Sequence, residues 1–556
     1  MASHLTPDPV RSMESILAHL DPEQREVVTA IKGPVCVIAG AGTGKTRVIT
    51  HRIAYAIAAG VTVPGKVLAL TFTARAAGEM RARLRSLGVP NATARTFHAA
   101  ALKQLTYFWP YSFGGQFPSL LTMKSGFISE SLSRSDSTLA PSASNLREIA
   151  SEIEWAKALE IGPQDYVDQA TTLGRELRLG SGRGDREKFG DIAKIYDAYE
   201  TLKRQERSID FEDVLLLTVG MLEEDKTARD KVRDQYRYFT VDEYQDVSPL
   251  QQRLLNLWLG TRDDICVVGD AAQTIYSFAG ATSTFLLGFT RRFPEAQVIR
   301  LTRGYRSTPE IIGSANAVLR AGGMLGTEGH ELASMNTSGA KPSVSGFNSA
   351  QLEAKTIAQS IRDLINQGPE MPEIAILTRT NSQLELFESA LGELGVKTQV
   401  KSNERFFERT DVRDVMKVIR QSSVLPSEDG NWLDDVKSIL RPFGDADYIQ
   451  ALIRLAQTLF DDGAPSMRTF LRELEDRAEQ NNPPTLPGVI LATLHAAKGL
   501  EWEIVYLAGV SDGLLPMGTA IDEERRLFYV GLTRAKSRIE ISYFGQPSPF
   551  LSAISQ

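Results

Sequence analysis

Cysteine is nearly absent: the 556-residue chain has 2, Cys36 and Cys266. Both stand in apolar runs, PVCVIAG and ICVVGD, where a thiol behaves as a small buried hydrophobe, so neither structural disulfides nor a cysteine zinc site is expected. No run of roughly eighteen or more apolar residues occurs, which excludes an obvious membrane-spanning helix. The opening MASHLTPDPV lacks the positive flank and apolar centre of a secretory signal, and a cytoplasmic location is expected. An excess of positive charge is missing too: 62 Lys and Arg against 69 Asp and Glu leave a net charge of -7. Proteins that grip duplex DNA by its phosphates usually carry a basic face, so any nucleic-acid site must be a local groove.

What is present is ordinary globular material, 42% hydrophobic and 24% charged, enough for about three or four separately packed domains. Short β-rich apolar runs recur, each followed by a polar loop and a helical pattern: PVCVIAG, KVLALTF, YRYFTVDE and ICVVGD. That alternation indicates a parallel sheet flanked by helices. A second series, AQVIRLT, EIAILTR, GVILATLH, EIVYLAGV and SRIEISYF, repeats the design without a second phosphate loop. The fold class expected is α/β, with two lobes of parallel sheet flanked by helices, interrupted by mainly helical insertions. The first lobe takes 1–99 and 207–295, with an insertion at 100–206 opened by the Ser-rich SGFISESLSRSDSTLAPSAS. The second takes 296–420 and 488–556, with a smaller insertion at 421–487. GSGRGDREK near Gly180 reads as a solvated loop in preference to a basic DNA-touching tip, and GTEGHELASMNTSGAKPS as a loop.

The run PVCVIAG leads directly into AGTGKT and then into the helical pattern TRVITHRIAYAIA, the strand, glycine loop and helix that a phosphate loop requires. Gly40, Gly42 and Gly44 let the backbone curl so that its N–H groups face the phosphates, with Ala41 and Thr43 between them. The helix N-terminus adds partial positive charge. Lys45 would reach the phosphates and Thr46 would hold magnesium. The first glycine of the pattern is Ala39 here. In YFTVDEYQD an apolar strand ends in two carboxylates, so Asp242 can ligate magnesium while Glu243 orients and deprotonates the attacking water. ATP and Mg2+ are the cofactors these residues imply.

The motifs AGAGTGKT, VDEYQDVSPLQ, VVGDAAQTIYSFAGA, LTRGYRST, TLHAAKGLEW and EERRLFYVGLTRAK occur in this order, and together they resemble the UvrD/PcrA/Rep helicases over nearly the whole chain. The resemblance implies a superfamily 1A DNA helicase whose two α/β lobes are RecA-like. It implies that Gln24 reads the adenine edge, that Tyr305 stacks on its face with Arg47 nearby, and that Glu501 contacts the ribose. It assigns Arg306 and Arg534 to the γ-phosphate from the second lobe, so that closing of the cleft would complete the site, and it gives Gln273 the task of sensing the γ-phosphate.

Single strands are held by aromatics stacking on bases, with polar contacts to the backbone. By resemblance the track comprises Phe72, Thr73, Thr96, His98, Phe211, Tyr276, Phe278, Thr493 and His495. Any one aromatic taken singly is more often core. Two departures stand out: Phe278-Ala279 replaces the family's frequent Trp-Arg, and the second insertion is shorter, although FFERTDVRDVMKVIR is intact. Relatives often continue past a point equivalent to PSPFL into an accessory region, and helicase-nuclease subunits carry a nuclease domain for which no room is expected after Leu551.

The expected function is an ATP- and Mg-dependent helicase or translocase moving 3′ to 5′ on single-stranded DNA in repair or replication. Its partners would be single strands, duplex junctions with 3′ tails and a repair protein, and no membrane. The alternative is a DNA-stimulated translocase that displaces proteins but needs a further domain or partner to unwind. A scaffold with a dead nucleotide fold is disfavoured because Lys45, Asp242, Glu243, Gln273, Arg306 and Arg534 are all present. Residues alone leave DNA versus RNA open.

Overall fold

The computed structural model describes residues 12–121, 123–177, 179, 184–326, 329–367, 372–400, 406–408, 410–422, 431–444, 446–461, 466–479 and 488–554. The chain divides into two compact units: Met1–Ile38 with Lys45–Phe72 and Arg83–Arg300, and Ala39–Gly44 with Thr73–Ala82 and Leu301–Gln556.

The first unit is built on a six-stranded sheet of β1 (Val35–Ala39), β2 (Val67–Thr71), β3 (Thr93–Thr96), β4 (Tyr238–Val241), β5 (Ile265–Gly269) and β6 (Gln297–Leu301). Its order is β3-β2-β4-β5-β1-β6, and pairing from β3 through β1 is parallel. Parallel strands covered on both faces read as continuous apolar runs; β2, β4 and β5 are buried at every residue. The C-terminal ends of β1 to β5 therefore open on one edge, where open α/β sheets bind ligands.

Two sequence expectations shift here. AQVIRLT, grouped with the second series, forms β6, the edge of the first sheet, where Gln297 N–H donates to the Pro34 carbonyl at 3.0 Å. The helix Phe97–Ser112, placed at the start of the insertion, packs into the sheet's core instead: Phe97, Ala100, Ala101, Leu105 and Phe108 join Leu68, Phe239 and Trp258. Its apolar face has nowhere else to go once β3 is recognised, and β3, with sequence TART, is too polar and short to stand out. The insertion's own core runs from Ile128 to Tyr199 on helices Ser125–Arg134, Ala143–Ala158, Tyr166–Thr172 and Asp185–Gln205. The Ser-rich opening is thus helical in its first ten residues, while the Gly180–Arg183 part of GSGRGDREK lies outside the described residues.

The second unit carries an all-parallel sheet of β7 (Ser343–Phe347), β8 (Ile374–Thr378), β9 (Thr398–Val400), β10 (Val489–Thr493), β11 (Trp502–Leu507) and β12 (Ala535–Phe544). The order is β7-β12-β11-β8-β10-β9. Helices Ala350–Gln367 and Asn381–Glu393 bury Ile357, Ile361, Leu384 and Phe387 on it. A separate helical cluster joins Thr410–Ser422, Trp432–Leu440, Asp447–Asp461 and Met467–Glu479. Helix Thr410–Ser422 belongs to it through Val412, Val415 and Ile419, ahead of the expected boundary at 421. In GTEGHELASMNTSGAKPS, read as a loop, Ala333–Ser334 pairs in parallel with Arg303–Gly304; Thr327 and Glu328 lie outside the described residues. Among the described residues no helix is long and apolar enough to cross a membrane.

Candidate nucleotide and nucleic-acid site

The phosphate loop is shaped by glycine. Gly42 and Gly44 have φ of +73° and +86°, left-handed values that strain any residue with a Cβ. Thr43 is buried, and its hydroxyl donates to the Gly40 carbonyl at 3.0 Å, closing the curl. Ala41 is buried beside it. Ala39, the departure from the pattern, is still the last residue of β1, so the missing glycine falls on strand and leaves the loop's turn untouched. Lys45 opens helix Lys45–Ala58, which places the loop at a helix N-terminus, where free N–H groups and the helix dipole favour an anion.

Gln24 is 2% exposed on helix Pro22–Thr29, whose first turn is capped by Asp21 accepting from Gln24 N–H at 2.9 Å. This is not the setting of a surface glutamine. Arg47 donates to the His19 carbonyl at 2.9 Å, tying the phosphate helix to the segment that carries Gln24.

At the end of β4, Asp242 is buried; burial and the adjacent Glu243 push its carboxyl up to about 7, against Lys45, the Glu243 N–H and the Thr46 hydroxyl, which all favour the anion. A buried carboxylate bonded to a hydroxyl is a hard oxygen donor pair short of positive charge, and it fits a magnesium ion. Glu243 has φ of +52°, a conformation that costs a non-glycine residue roughly 1 kcal/mol or more. Its carboxylate accepts from Gln245 Nε2 at 2.5 Å; Gln245 Oε1 in turn accepts from Asp270 N–H at 3.0 Å, and Asp270 Oδ2 accepts from Gln273 Nε2 at 2.7 Å. A continuous chain thus runs from the expected base to the expected γ-phosphate sensor. Sequence reasoning missed Gln245 and Asp270, although both stand inside the quoted motifs, DEYQD and VVGDAAQ. Burial raises the Asp270 carboxyl above its ordinary range.

In the second unit, Arg306 and Glu501 form an ion pair, Nε to Oε2 at 2.5 Å, and Arg306 also donates to the Thr533 carbonyl at 3.0 Å. Burial opposes ionisation of Glu501, but Arg306, Lys536 and Arg534 outweigh it and hold the carboxyl below its usual value. Arg534 is 2% exposed, its guanidinium donating to the carbonyls of Val530 and Leu500 and to the Thr533 hydroxyl. Tyr305, by contrast, is 42% exposed.

The expected track residues follow strand ends. Phe72, Phe211 and Phe278 are 37%, 42% and 44% exposed, so the core-packing reading fails for all three. Phe72 stacks on Tyr276 with centroids 5.2 Å apart, and Tyr276 meets Phe278 edge-on at 6.0 Å. His98 meets Phe211 edge-on at 6.1 Å. Burial keeps His98 below its ordinary pKa, so near neutral pH it is an uncharged donor and acceptor. Thr73, Thr96 and Thr493 share one local geometry: each hydroxyl oxygen accepts the N–H three residues on, at 3.1, 3.1 and 3.3 Å. Such a hydroxyl still has its own proton to donate. His495 is half-buried just beyond β10.

Comparison with known proteins agrees with this geometry. Residues 20–294 match the UvrD/REP helicase N-terminal domain, and 299–424 with 435–546 match the UvrD-like helicase C-terminal domain. The chain is 43% identical, over 96% of its length and 80% of theirs, to the ATP-dependent DNA helicase UvrD2 of Mycobacterium bovis and of Mycobacterium tuberculosis. It is 26% identical, over 96% of its length and 85% of the relative's, to the ATP-dependent DNA helicase PcrA of Staphylococcus aureus.

Proposed function

Because the chain belongs to the UvrD/REP helicase family and is an ATP-dependent DNA helicase of the UvrD/PcrA type, we propose that it is a magnesium-dependent motor that moves 3′ to 5′ along single-stranded DNA and serves repair or replication. The observation that carries the reading is the shared edge of the first sheet. The strands whose ends lead into the phosphate loop, the Asp242–Glu243 pair and Asp270 lie in one parallel sheet with the strand that leads into exposed Phe72 and the strand that ends at half-buried Thr96.

In this reading the loop N–H groups and Lys45 bind the phosphates of ATP, and Gln24 and Tyr305 hold the adenine. Thr46 and Asp242 hold magnesium, which neutralises phosphate charge when bound. Glu243 takes the proton of the attacking water, oriented by Gln245. Arg306 and Arg534 stabilise charge on the transferred group, a task for which such arginines contribute roughly 10³ to 10⁵ in rate. Arg306 then exchanges its bond to Glu501 for the phosphate, leaving Glu501 for the ribose. Gln273 reports the γ-phosphate to the strand through the loop it shares with Tyr276 and Phe278. Bases stack on the exposed rings, and backbone phosphates accept from the threonine hydroxyls.

The test is steady-state ATP hydrolysis with and without a single-stranded DNA oligomer. Strong stimulation is expected; hydrolysis indifferent to DNA would overturn the track, and stimulation by RNA alone would overturn the substrate class.

A further inference from the structure

The turn that presents Phe278 leans on the first helical insertion. Gly280 has φ of +88°, and a Cβ there would lie 2.9 Å from the Ala158 Cβ and 3.7 Å from the Trp155 carbonyl, so helix Ala143–Ala158 meets the turn with no space between. Arg175, just beyond the insertion helix Tyr166–Thr172, closes the contact: its Nη2 donates to the Phe278 carbonyl at 2.8 Å. The rest of the guanidinium is held from behind. Nε and Nη2 form a fork on the Glu152 carboxylate at 3.0 and 2.8 Å, and the guanidinium lies 4.6 Å above the Trp155 ring. Glu152 is 1% exposed and also accepts from the Tyr166 hydroxyl at 2.8 Å.

The geometry points to Arg175 as a positioning residue for the DNA track, an inference that rests on the reading of Phe278 as a stacking surface. At 44% exposed, Phe278 depends on the placement of its backbone as well as on its edge-on contact with Tyr276, and Ala279 beside it offers only a methyl group. The carbonyl of Phe278 is anchored from outside the turn by Arg175. The two hydrogens of Nη2 divide the work: one satisfies a buried carboxylate, the other fixes the turn. A guanidinium already matched to Glu152 in this way is an anchor for backbone, with its charge offset, and not a free cation for phosphate. The helical insertion thereby sets the geometry of a surface that the sheet alone would leave loose.

The experiment titrates ATP hydrolysis with an oligo-dT strand at several salt concentrations, for wild type, Arg175→Ala, Arg175→Lys, Glu152→Gln and Phe278→Ala. Arg175→Ala and Glu152→Gln are expected to raise the half-stimulating DNA concentration about tenfold, the loss of roughly one stacked base. The rate without DNA, the rate at saturating DNA and the salt slope stay as in wild type. Arg175→Lys keeps the charge and loses the fork, so it is expected to resemble Arg175→Ala; as the mildest change it also guards against a folding defect, checked by thermal melting. Full rescue by lysine would overturn the inference. So would a salt slope reduced by about one in Arg175→Ala with unweakened binding in Glu152→Gln, which is the signature of a direct phosphate contact. If Phe278→Ala shifts the titration and neither latch variant does, the latch fails and the track stands. If Phe278→Ala shifts nothing, the track itself fails.

Discussion

Glu243 occupies a left-handed backbone conformation two residues beyond the end of β4. The turn this forces brings its carboxylate onto Gln245, which is bonded in turn to the loop that carries Gln273. Exchanging the carboxylate for an amide of the same shape tests the base without disturbing the site. Glu243→Gln is expected to lower kcat by about 10² to 10⁴ while nucleotide affinity, read by a fluorescent ATP analogue, stays close to wild type. Lys45→Ala is expected to lose both. Wild-type turnover in Glu243→Gln would remove Glu243 as the base.

Between elements, the first insertion is bolted to the sheet-packed helix Phe211–Glu224 by a buried charge cluster. Lys157 Nζ lies 2.8 Å from Asp210, 2.5 Å from Asp213 and 3.1 Å from Glu200; Lys203 Nζ lies 2.9, 2.5 and 2.8 Å from the same three. These carboxylates stand close enough together to hold a metal ion, but two ammonium groups already sit among them. Asp210 also caps the helix that begins with Phe211, so the cluster holds a track residue in place. Burial opposes every charge here, yet the lysines keep the Asp210 carboxyl far below its usual range, and the carboxylates keep Lys157 well above its own. A depressed carboxyl stabilises the fold above its unfolded pKa, about 4, and loses that contribution as pH falls through the folded value. A raised lysine contributes fully below about 10.4 and loses it above. The cluster's contribution is therefore flat through neutral pH and lost in acid. Lys157→Met is expected to cost on the order of 3 kcal/mol or more, seen as an earlier urea transition at pH 7. The gap between variant and wild type should narrow below about pH 4; a gap independent of pH would contradict the assignment.

For the molecule as a whole, two units share one α/β design, each built on a six-stranded sheet. A motor of the proposed polarity is expected to separate a duplex bearing a 3′ single-stranded tail and to leave one bearing a 5′ tail intact. Unwinding from the 5′ tail alone would reverse the polarity. Stimulated hydrolysis and translocation without strand separation would favour the alternative motor, one that needs a further domain or partner to unwind.

Much of this was legible in the sequence because the informative features are local. Parallel strands covered on both faces must be apolar at consecutive positions, which marks β1, β2, β4 and β5. A phosphate loop needs glycine where φ is positive, which marks Gly42 and Gly44, and the residues after strand ends are where an open sheet puts its chemistry. Tertiary structure decided the rest, because those features depend on partners far along the chain. Nothing within TART announces a strand until Leu68–Thr71 pairs with it. Gln297–Leu301 resembles the strands that follow it, yet hydrogen-bonds back to Pro34. Gln245 and Asp270 are 25 positions apart and Arg175 is 103 from Phe278. Gln245, Asp270 and Arg175 look like ordinary polar residues until folding brings distant partners to their hydrogen-bonding groups.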